Sequence, residues 1–482
     1  MTSVVAEKAL GLRERGIVAP KSKTLGELRS SGYKVQTVKQ EMRRNLIGKM
    51  RKGVDIFPGI LGFEETVLPQ LQNAILSGQD IIFLGERGQA KSRIIRSLVN
   101  LLDDEIPVVV GSEVNDDPFN PISRYAQDLI AKEGDNTPIE WVGRDRRYGE
   151  KLATPDITIA DLIGEVDPIR VAEGRYLSDE LTIHYGLIPR TNRGIFAINE
   201  LPDLAERIQV GLFNIMEERD IQIRGYQIRL SLDVFLVSSA NPEDYTNRGR
   251  IITPLKDRYG VQIRTHYPRA VEHEIGIMDQ ERMVFEDDEF KVVVPQFMKE
   301  IVAEISRLAR RSPDINQRSG VSVRASIANY ESLLANAQRR AISVGESEVV
   351  PRVSDLPYVI PAIAGKVEFE TVEDGKEEQI LDKLIQGAIL AVFNRYYSVS
   401  DFDELVTRFK AGISVEVGDM MPSVNYEKLV KQVEGLADHV KKVEAKPSAP
   451  VTASVVEFIL EGLHLNKRLN KDRVGPKVSY RG

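Results

Sequence analysis

Residues Gly85–Ser92 read G-E-R-G-Q-A-K-S, directly after the apolar run Ile81–Leu84 and before Arg93-Ile94-Ile95-Arg96-Ser97-Leu98-Val99. Strand, glycine-bearing loop and helix in this order leave few folds open, because the loop must deliver Lys91 and Ser92 at a helix start. The common chemistry that uses such an arrangement is the cradling of nucleoside triphosphate phosphates. Loop N–H groups and the positive helix end face the phosphates, Lys91 reaches the β/γ oxygens, and Ser92 ligates Mg²⁺. Gly85, Glu86, Arg87, Gly88, Gln89, Ala90, Lys91 and Ser92 are therefore candidate nucleotide-binding residues, with ATP and Mg²⁺ as the expected cofactors. Ala90 departs from the pattern, standing where a second glycine is usual. Its methyl group needs no positive φ if the residue lies in the helical region.

Short β-rich runs then alternate with helical patterns as far as about His266: Ile81–Leu84, Ile106–Val110, Gly194–Ile198, Val234–Ser238 and Val261–Arg264. That alternation predicts a parallel sheet covered on both faces, an α/β fold. After Pro268 the pattern turns helical. Phe297, Ile301, Ile305 and Leu308 line one face; Ile327, Tyr330 and Leu334 line another; Leu381, Leu384, Ile385, Ala388 and Val392 a third. Lys446–Pro450 reads as a linker before a helix over Val455–Leu465 and a polar tail.

The chain has 482 residues and no cysteine, which excludes disulfides, thiolate zinc sites and cysteine nucleophiles together. No apolar run approaches the length of a membrane span and no secretory leader opens the chain, so a cytoplasmic location is expected. Residues 1–52 hold thirteen Lys/Arg against four Asp/Glu, or +9, which leaves −16 for the rest of a chain with net charge −7. Such a segment reads as solvated helices packing on an acidic body, ahead of an arm that touches nucleic acid.

A phosphate loop needs an acidic partner at the end of a neighbouring strand. Gly194–Ile198 runs into Asn199-Glu200, which places Glu200 to orient or deprotonate the attacking water. The alternative for Glu200 is a solvated carboxylate capping the strand. Asn199 stands where an aspartate is usual. Its amide oxygen accepts a bond from metal-bound water but brings no charge, so a looser Mg²⁺ shell and slow basal turnover are expected, with aspartate improving both. Asn241, at the end of Val234–Ala240, is a candidate for the γ-phosphate or lytic water. Arg258, in Pro254-Leu255-Lys256-Asp257-Arg258-Tyr259-Gly260, is suited to neutralise transition-state charge in a neighbouring subunit, or else forms a surface salt bridge with Asp257. Arg324, in Ser322-Val323-Arg324-Ala325-Ser326, opens a helix from which it can meet the γ-phosphate.

In this order the segments G-E-R-G-Q-A-K-S, G-I-F-A-I-N-E, S-S-A-N-P-E-D, P-L-K-D-R-Y-G and S-V-R-A-S resemble the AAA+ ATPases, and most of all the branch holding the magnesium chelatase ATPase subunit and the MoxR proteins. The resemblance covers roughly residues 55 to 345. It implies Walker A at Gly85–Ser92, Walker B at Asn199 and Glu200, sensor 1 at Asn241, an arginine finger at Arg258 and sensor 2 at Arg324, with Ser92 and Asn199 toward the metal. Between Lys91 and Glu200 there is room for the helix-2 insert of that branch, around 153–186, and Ile221–Leu230 reads as its pre-sensor hairpin, turning near Gly225.

The implied fold is an AAA+ P-loop core with a parallel sheet, an α-helical lid and a mainly helical C-terminal region. Its expected divisions are a basic helical segment 1–53, the core 54–268, the lid 269–345, a helical region 346–445, and linker, helix and basic tail over 446–482. The implied function is an ATP-hydrolysing ring motor, self-assembled as a hexamer, that remodels or activates a protein partner carrying a von Willebrand A domain. A true chelatase subunit and an ATP-binding scaffold with weak hydrolysis are the alternatives. An enhancer-binding transcription activator fits less well, since the G-A-F-T-G-A loop of that class is absent.

Overall fold

The computed structural model describes residues 21–167, 182–218, 220–222, 229–241, 249–284, 290–317, 319–370, 376–474 and 477–482. The chain divides into two compact units: Met1–Ile60 with Glu64–Gly85 and Ala90–Thr265, and Leu61–Phe63 with Glu86–Gln89 and His266–Gly482.

The first unit opens with helices α1 (Leu25–Ser30) and α2 (Val38–Arg51). Thr24 caps α1 by accepting from the Glu27 N–H, and Thr37 and Gln40 close a reciprocal capping box on α2. Val38, Met42 and Leu46 form the buried face of α2, and Glu41 is buried among them. A carboxylate removed from water needs a partner. Arg147 supplies it, with Nη1–Oε1 at 2.8 Å and Nη2–Oε2 at 2.5 Å. Leu25 N–H donates to the Thr137 carbonyl at 3.0 Å, and Val38 N–H to Asp233 Oδ2 at 2.8 Å. Over the described residues the basic segment is folded onto this unit.

The sheet consists of β1 (Ile81–Leu84), β4 (Tyr148–Leu152), β5 (Gly194–Asn199), β8 (Val234–Ala240) and β9 (Val261–Arg264), after allowance for two smaller ribbons: β2 (Glu105–Val109) with β3 (Ile139–Gly143), and β6 (Asp220–Gln222) with β7 (Arg229–Ser231). Its order is β9-β1-β8-β5-β4, and every pairing is parallel. The carboxyl ends therefore share one edge, where ligand sites collect in open parallel sheets. β1, β5 and β8 are buried along their whole length, which is why they read as continuous apolar runs.

One strand expected in this sheet lies elsewhere. Ile106–Val110 belongs to the antiparallel ribbon β2–β3, where Ile106 faces Val142 and Val108 faces Glu140. The outer place beside β5 is taken by β4, Y-G-E-K-L. An edge strand with a half-solvated face carries no apolar run, so periodicity passed over it.

The expected helix-2 insert shows a short antiparallel pair, Gly164–Val166 with Ile183–Tyr185, and its centre (168–181) lies outside the described residues. The hairpin read over Ile221–Leu230 shows its two arms as β6 paired with β7, and its turn near Gly225 lies outside the described residues as well.

In the second unit, α5 (Gln296–Ala309), α6 (Val323–Val344), α7 (Lys376–Tyr396) and α8 (Ala449–Leu465) share one core. Phe297 of α5 stacks on Phe458 of α8 with ring centroids 4.3 Å apart. Two readings of this region change. Ser448 caps α8 by accepting from Val451 N–H, so the Ser-Ala-Pro stretch read as linker starts that helix, proline being well suited to a first turn. The polar tail forms strands β11 (Asn470–Val474) and β12 (Lys477–Arg481), the latter pairing also with β10 (Ser414–Gly418). Among the described residues of the tail only Leu469 and Tyr480 are buried, so its apolar signal was weak. Among the described residues no helix is long and apolar enough to cross a membrane.

Candidate active site

The phosphate loop leaves β1 at Gly85, whose N–H still pairs with the Ala240 carbonyl of β8 at 3.1 Å. Within the loop, Gln89 turns back so that its Oε1 accepts from Glu86 N–H at 3.1 Å, and Gly88 takes φ +73°. Helix α3 (Lys91–Ser97) follows. Ala90 lies outside the right-handed region in which its methyl group would need no positive φ; it adopts φ 54° and ψ 14°, the left-handed conformation. An L-residue pays about 1–2 kcal/mol for this backbone, whereas glycine enters it freely. Ala90→Gly is therefore expected to stabilise the chain by about 0.5–1 kcal/mol, after the entropy glycine adds to the unfolded state. The midpoint of urea unfolding reads this directly, and a lowered midpoint would show that the loop stores no such strain.

Lys91 is buried, and its Nζ donates to the Gly85 carbonyl and to Asn241 Oδ1, each at 2.5 Å. Asn241 passes the chain on, its Nδ2 donating to Glu200 Oε2 at 2.7 Å. The ends of β1, β8 and β5 thus bring Lys91, Asn241 and Glu200 into one hydrogen-bonded series. Glu200 itself sits at φ 55° and ψ 48°, a left-handed position immediately after the strand. Backbone strain of this kind collects at functional positions because the surrounding structure must hold it. Here Glu200 N–H is held by Ser239 Oγ at 3.3 Å.

Asn199 is engaged on both sides of its amide. Its Oδ1 accepts from Ser239 Oγ at 3.1 Å, and its Nδ2 donates to Glu150 Oε1 at 2.6 Å. A carboxylate only accepts, so the nitrogen must face Glu150. Glu150, on β4, also takes a two-pronged ion pair from Arg96 of α3, at 2.8 and 2.9 Å, and a bond from the Tyr148 hydroxyl at 2.9 Å. The hydrogen bonds from Arg96 hold its carboxyl below the ordinary value, against partial burial, with Tyr148 and Asn199 adding to the effect. Sequence reasoning missed both Glu150 and Ser239. Ser239 lies within the segment S-S-A-N-P-E-D but was given no role, and Glu150 lies in no motif and stands 49 positions from Asn199, so only strand pairing brings them together. The alternatives for Asn199 were the metal shell, where aspartate would help, and a neighbouring backbone group, where it would be neutral or harmful; the partners are side chains, Ser239 and Glu150. Beside Glu150, a second carboxylate would meet a like charge.

Arg258 ends helix α4 (Thr253–Arg258), anchored by the neighbouring Tyr259, whose hydroxyl is buried against Ser238 Oγ at 2.5 Å. Its ion-pair partner is Glu217 rather than Asp257, with Nε–Oε2 at 3.0 Å and a closer contact from Nη2. Nη1 donates to the Pro254 carbonyl at 2.8 Å, and the guanidinium lies 4.5 Å from the centre of the Phe213 ring. Arg324 belongs to the second unit, exposed in the first turn of α6, whose cap Ser322 accepts from the Arg324 N–H.

Hard oxygen donors suit Mg²⁺: the Ser92 hydroxyl, the Asn199 amide and the Glu150 carboxylate are of that kind. Among the described residues there is no cluster of three or more His, Cys, Asp or Glu side chains able to hold a metal alone.

No family model matches the chain. Magnesium-chelatase subunit ChlI of Oryza sativa subsp. indica is 27% identical over 327 residues, covering 63% of this chain and 74% of the relative. Subunit ChlI of Synechocystis sp. is 24% identical over 365 residues, covering 71% of this chain and 97% of the relative. Among solved structures, a chain in the complex between subunits BchI and BchD of magnesium chelatase matches with a TM-score of 0.36 and 21% identity, over 67% of this chain and 98% of that one. A likeness that low adds nothing to the strand order. Similarity running over most of several ChlI subunits, in a chain whose sheet already brings a phosphate loop, an acid and an amide to one edge, supports a magnesium-chelatase-like AAA+ ATPase.

Proposed function

We propose that this protein binds ATP with Mg²⁺ and hydrolyses it to ADP and phosphate, as the motor of a ring that remodels or activates a protein partner. The observation that carries the reading is the series Lys91–Asn241–Glu200 across three adjacent strand ends. It joins a phosphate-binding cation, a γ-phosphate or water sensor, and a carboxylate able to act as base. When bound, Mg²⁺ would be held through Ser92 and the Asn199 side and would neutralise phosphate charge. Glu200 would orient the water and accept its proton, with Asn241 keeping that carboxylate aimed.

The hexameric ring, and a partner with a von Willebrand A domain, rest on the family resemblance. A chelatase subunit serving magnesium insertion is the second reading, favoured by the names of the relatives. Adding a porphyrin and candidate partner subunits to the purified chain separates the two, because only a chelatase subunit would support metal insertion.

The hydrolytic reading is tested at Glu200. Glu200→Gln retains an oxygen that can accept from Asn241 but has no basic carboxylate. Turnover is expected to fall by on the order of 10²-fold while ATP binding persists. Phosphate release and a fluorescent-nucleotide titration measure the two separately. Loss of binding together with turnover would make Glu200 a structural residue and remove it from the reaction.

A further inference from the structure

The charge missing at position 199 is present one strand away. Glu150 Oε1 lies 2.6 Å from the Asn199 amide nitrogen, and the β4–β5 register sets Leu152 opposite Asn199 and Glu150 opposite Ala197. Glu150 and Leu152 share one face of β4, and Ala197 and Asn199 one face of β5, since side chains alternate along a strand. Arg96, the cation on Glu150, follows Ser92 by four residues on α3, so the two lie on the same side of that helix. The Asn199 amide and the Glu150 carboxylate therefore meet beside α3, whose first turn carries Ser92 on the face that Arg96 shares.

We propose that Glu150 replaces the acidic residue absent at 199, so that the Asn199 amide and the Glu150 carboxylate together form the protein half of the Mg²⁺ shell. This deepens the ATPase reading and rests on it. Asn199 alone offers only a neutral acceptor, and that acceptor is shared with Ser239. Glu150 orients the amide and adds a full negative charge next to it. Arg96, whose side chain is 65% exposed, offsets part of that charge without burying it. A plain structural clamp between α3 and β4 would use the same ion pair, but it would leave the metal requirement indifferent to Glu150.

The test is the Mg²⁺ dependence of ADP binding to the full chain, followed by calorimetry, with EDTA as the metal-free reference. Glu150→Gln keeps an acceptor for the Asn199 amide and loses the charge. Its half-saturating Mg²⁺ is expected to rise about fivefold, because hydrogen bonds to charged groups are roughly twice as strong as neutral ones. Binding in EDTA should not change. Arg96→Gln removes the offsetting cation and should lower the half-saturating Mg²⁺ about two- to threefold, by the same charge argument.

Asn199→Asp brings two carboxylates together, so its melting temperature in EDTA should fall. Asn199→Asp combined with Glu150→Gln should recover both the melting temperature and the wild-type Mg²⁺ dependence. Such a return is the coupling expected of residues in contact. Half-saturating Mg²⁺ at the wild-type value in both Glu150→Gln and Arg96→Gln, with ADP binding intact, overturns the proposal and leaves the ATPase reading standing. Absence of ADP binding by the wild-type chain overturns both.

Discussion

Lys91→Ala is expected to bring ATP hydrolysis down to the assay background and to weaken ATP binding about 10- to 100-fold. A hydrogen bond from a charged donor contributes about 1.5–3 kcal/mol, and about 1.4 kcal/mol is a factor of ten in affinity. In the structure the ammonium is held by Gly85 O and Asn241 Oδ1. To engage phosphate it must exchange these acceptors for phosphate oxygens. Its removal also takes a donor from Asn241, and Asn241 aims Glu200. One substitution therefore strikes both the cradle and the base, which is why its effect should exceed that of Glu200→Gln. Lys91→Arg should not rescue turnover, since a planar guanidinium does not replace a compact ammonium at a buried position. Phosphate release and nucleotide titration read the outcome, with thermal melting to confirm folding. Wild-type turnover in Lys91→Ala would remove the phosphate cradle from the account.

Arg258→Ala is expected to lower turnover by on the order of 10³-fold if the residue serves a neighbouring subunit, the range seen when an arginine is removed from a phosphoryl-transfer site. Within its own chain Arg258 is held by Glu217, the Pro254 carbonyl and the Phe213 ring. A role across an interface requires it to leave Glu217, so assembly should be needed before Arg258 contributes. Hydrolysis per chain should then rise with protein concentration in the wild type and stay flat in Arg258→Ala. Mixing Arg258→Ala with Glu200→Gln subunits probes the geometry, because some interfaces would pair an intact arginine with an intact glutamate. No recovery in mixed assemblies would confine Arg258 to its local ion pair. In that case its removal should cost only about 1 kcal/mol of stability, the sum of a partly exposed pair and a ring contact.

What was legible in the sequence follows physical rules of different range. β1, β5 and β8 are buried on both faces and so announce themselves as apolar runs, and the loop after β1 has a composition that few other uses explain. Lys91, Glu200 and Asn241 were found because each directly follows or closely trails such a run. β4 was passed over for the opposite reason. Its burial is partial, its residues Y-G-E-K-L form no apolar run, and it joins the sheet only through pairing with β5. The tail strands were hidden likewise, since little of them is buried apart from Tyr480.

By itself, then, the sequence determined that the chain carries a phosphate loop on a parallel α/β sheet, since both depend on local order and on the periodicity of burial. Only the tertiary structure decided what each candidate side chain meets. Arg258 pairs with Glu217 and not with adjacent Asp257, and Ala90 is forced into a left-handed turn that its residue type disfavours. Asn199 lies against a carboxylate from another strand, so an acid placed there would meet a like charge. These are contacts between residues far apart in the chain or backbone angles imposed by the ends of fixed elements. A charge acts over a few ångströms of space, whatever the separation along the chain, and that distance is set by strand register.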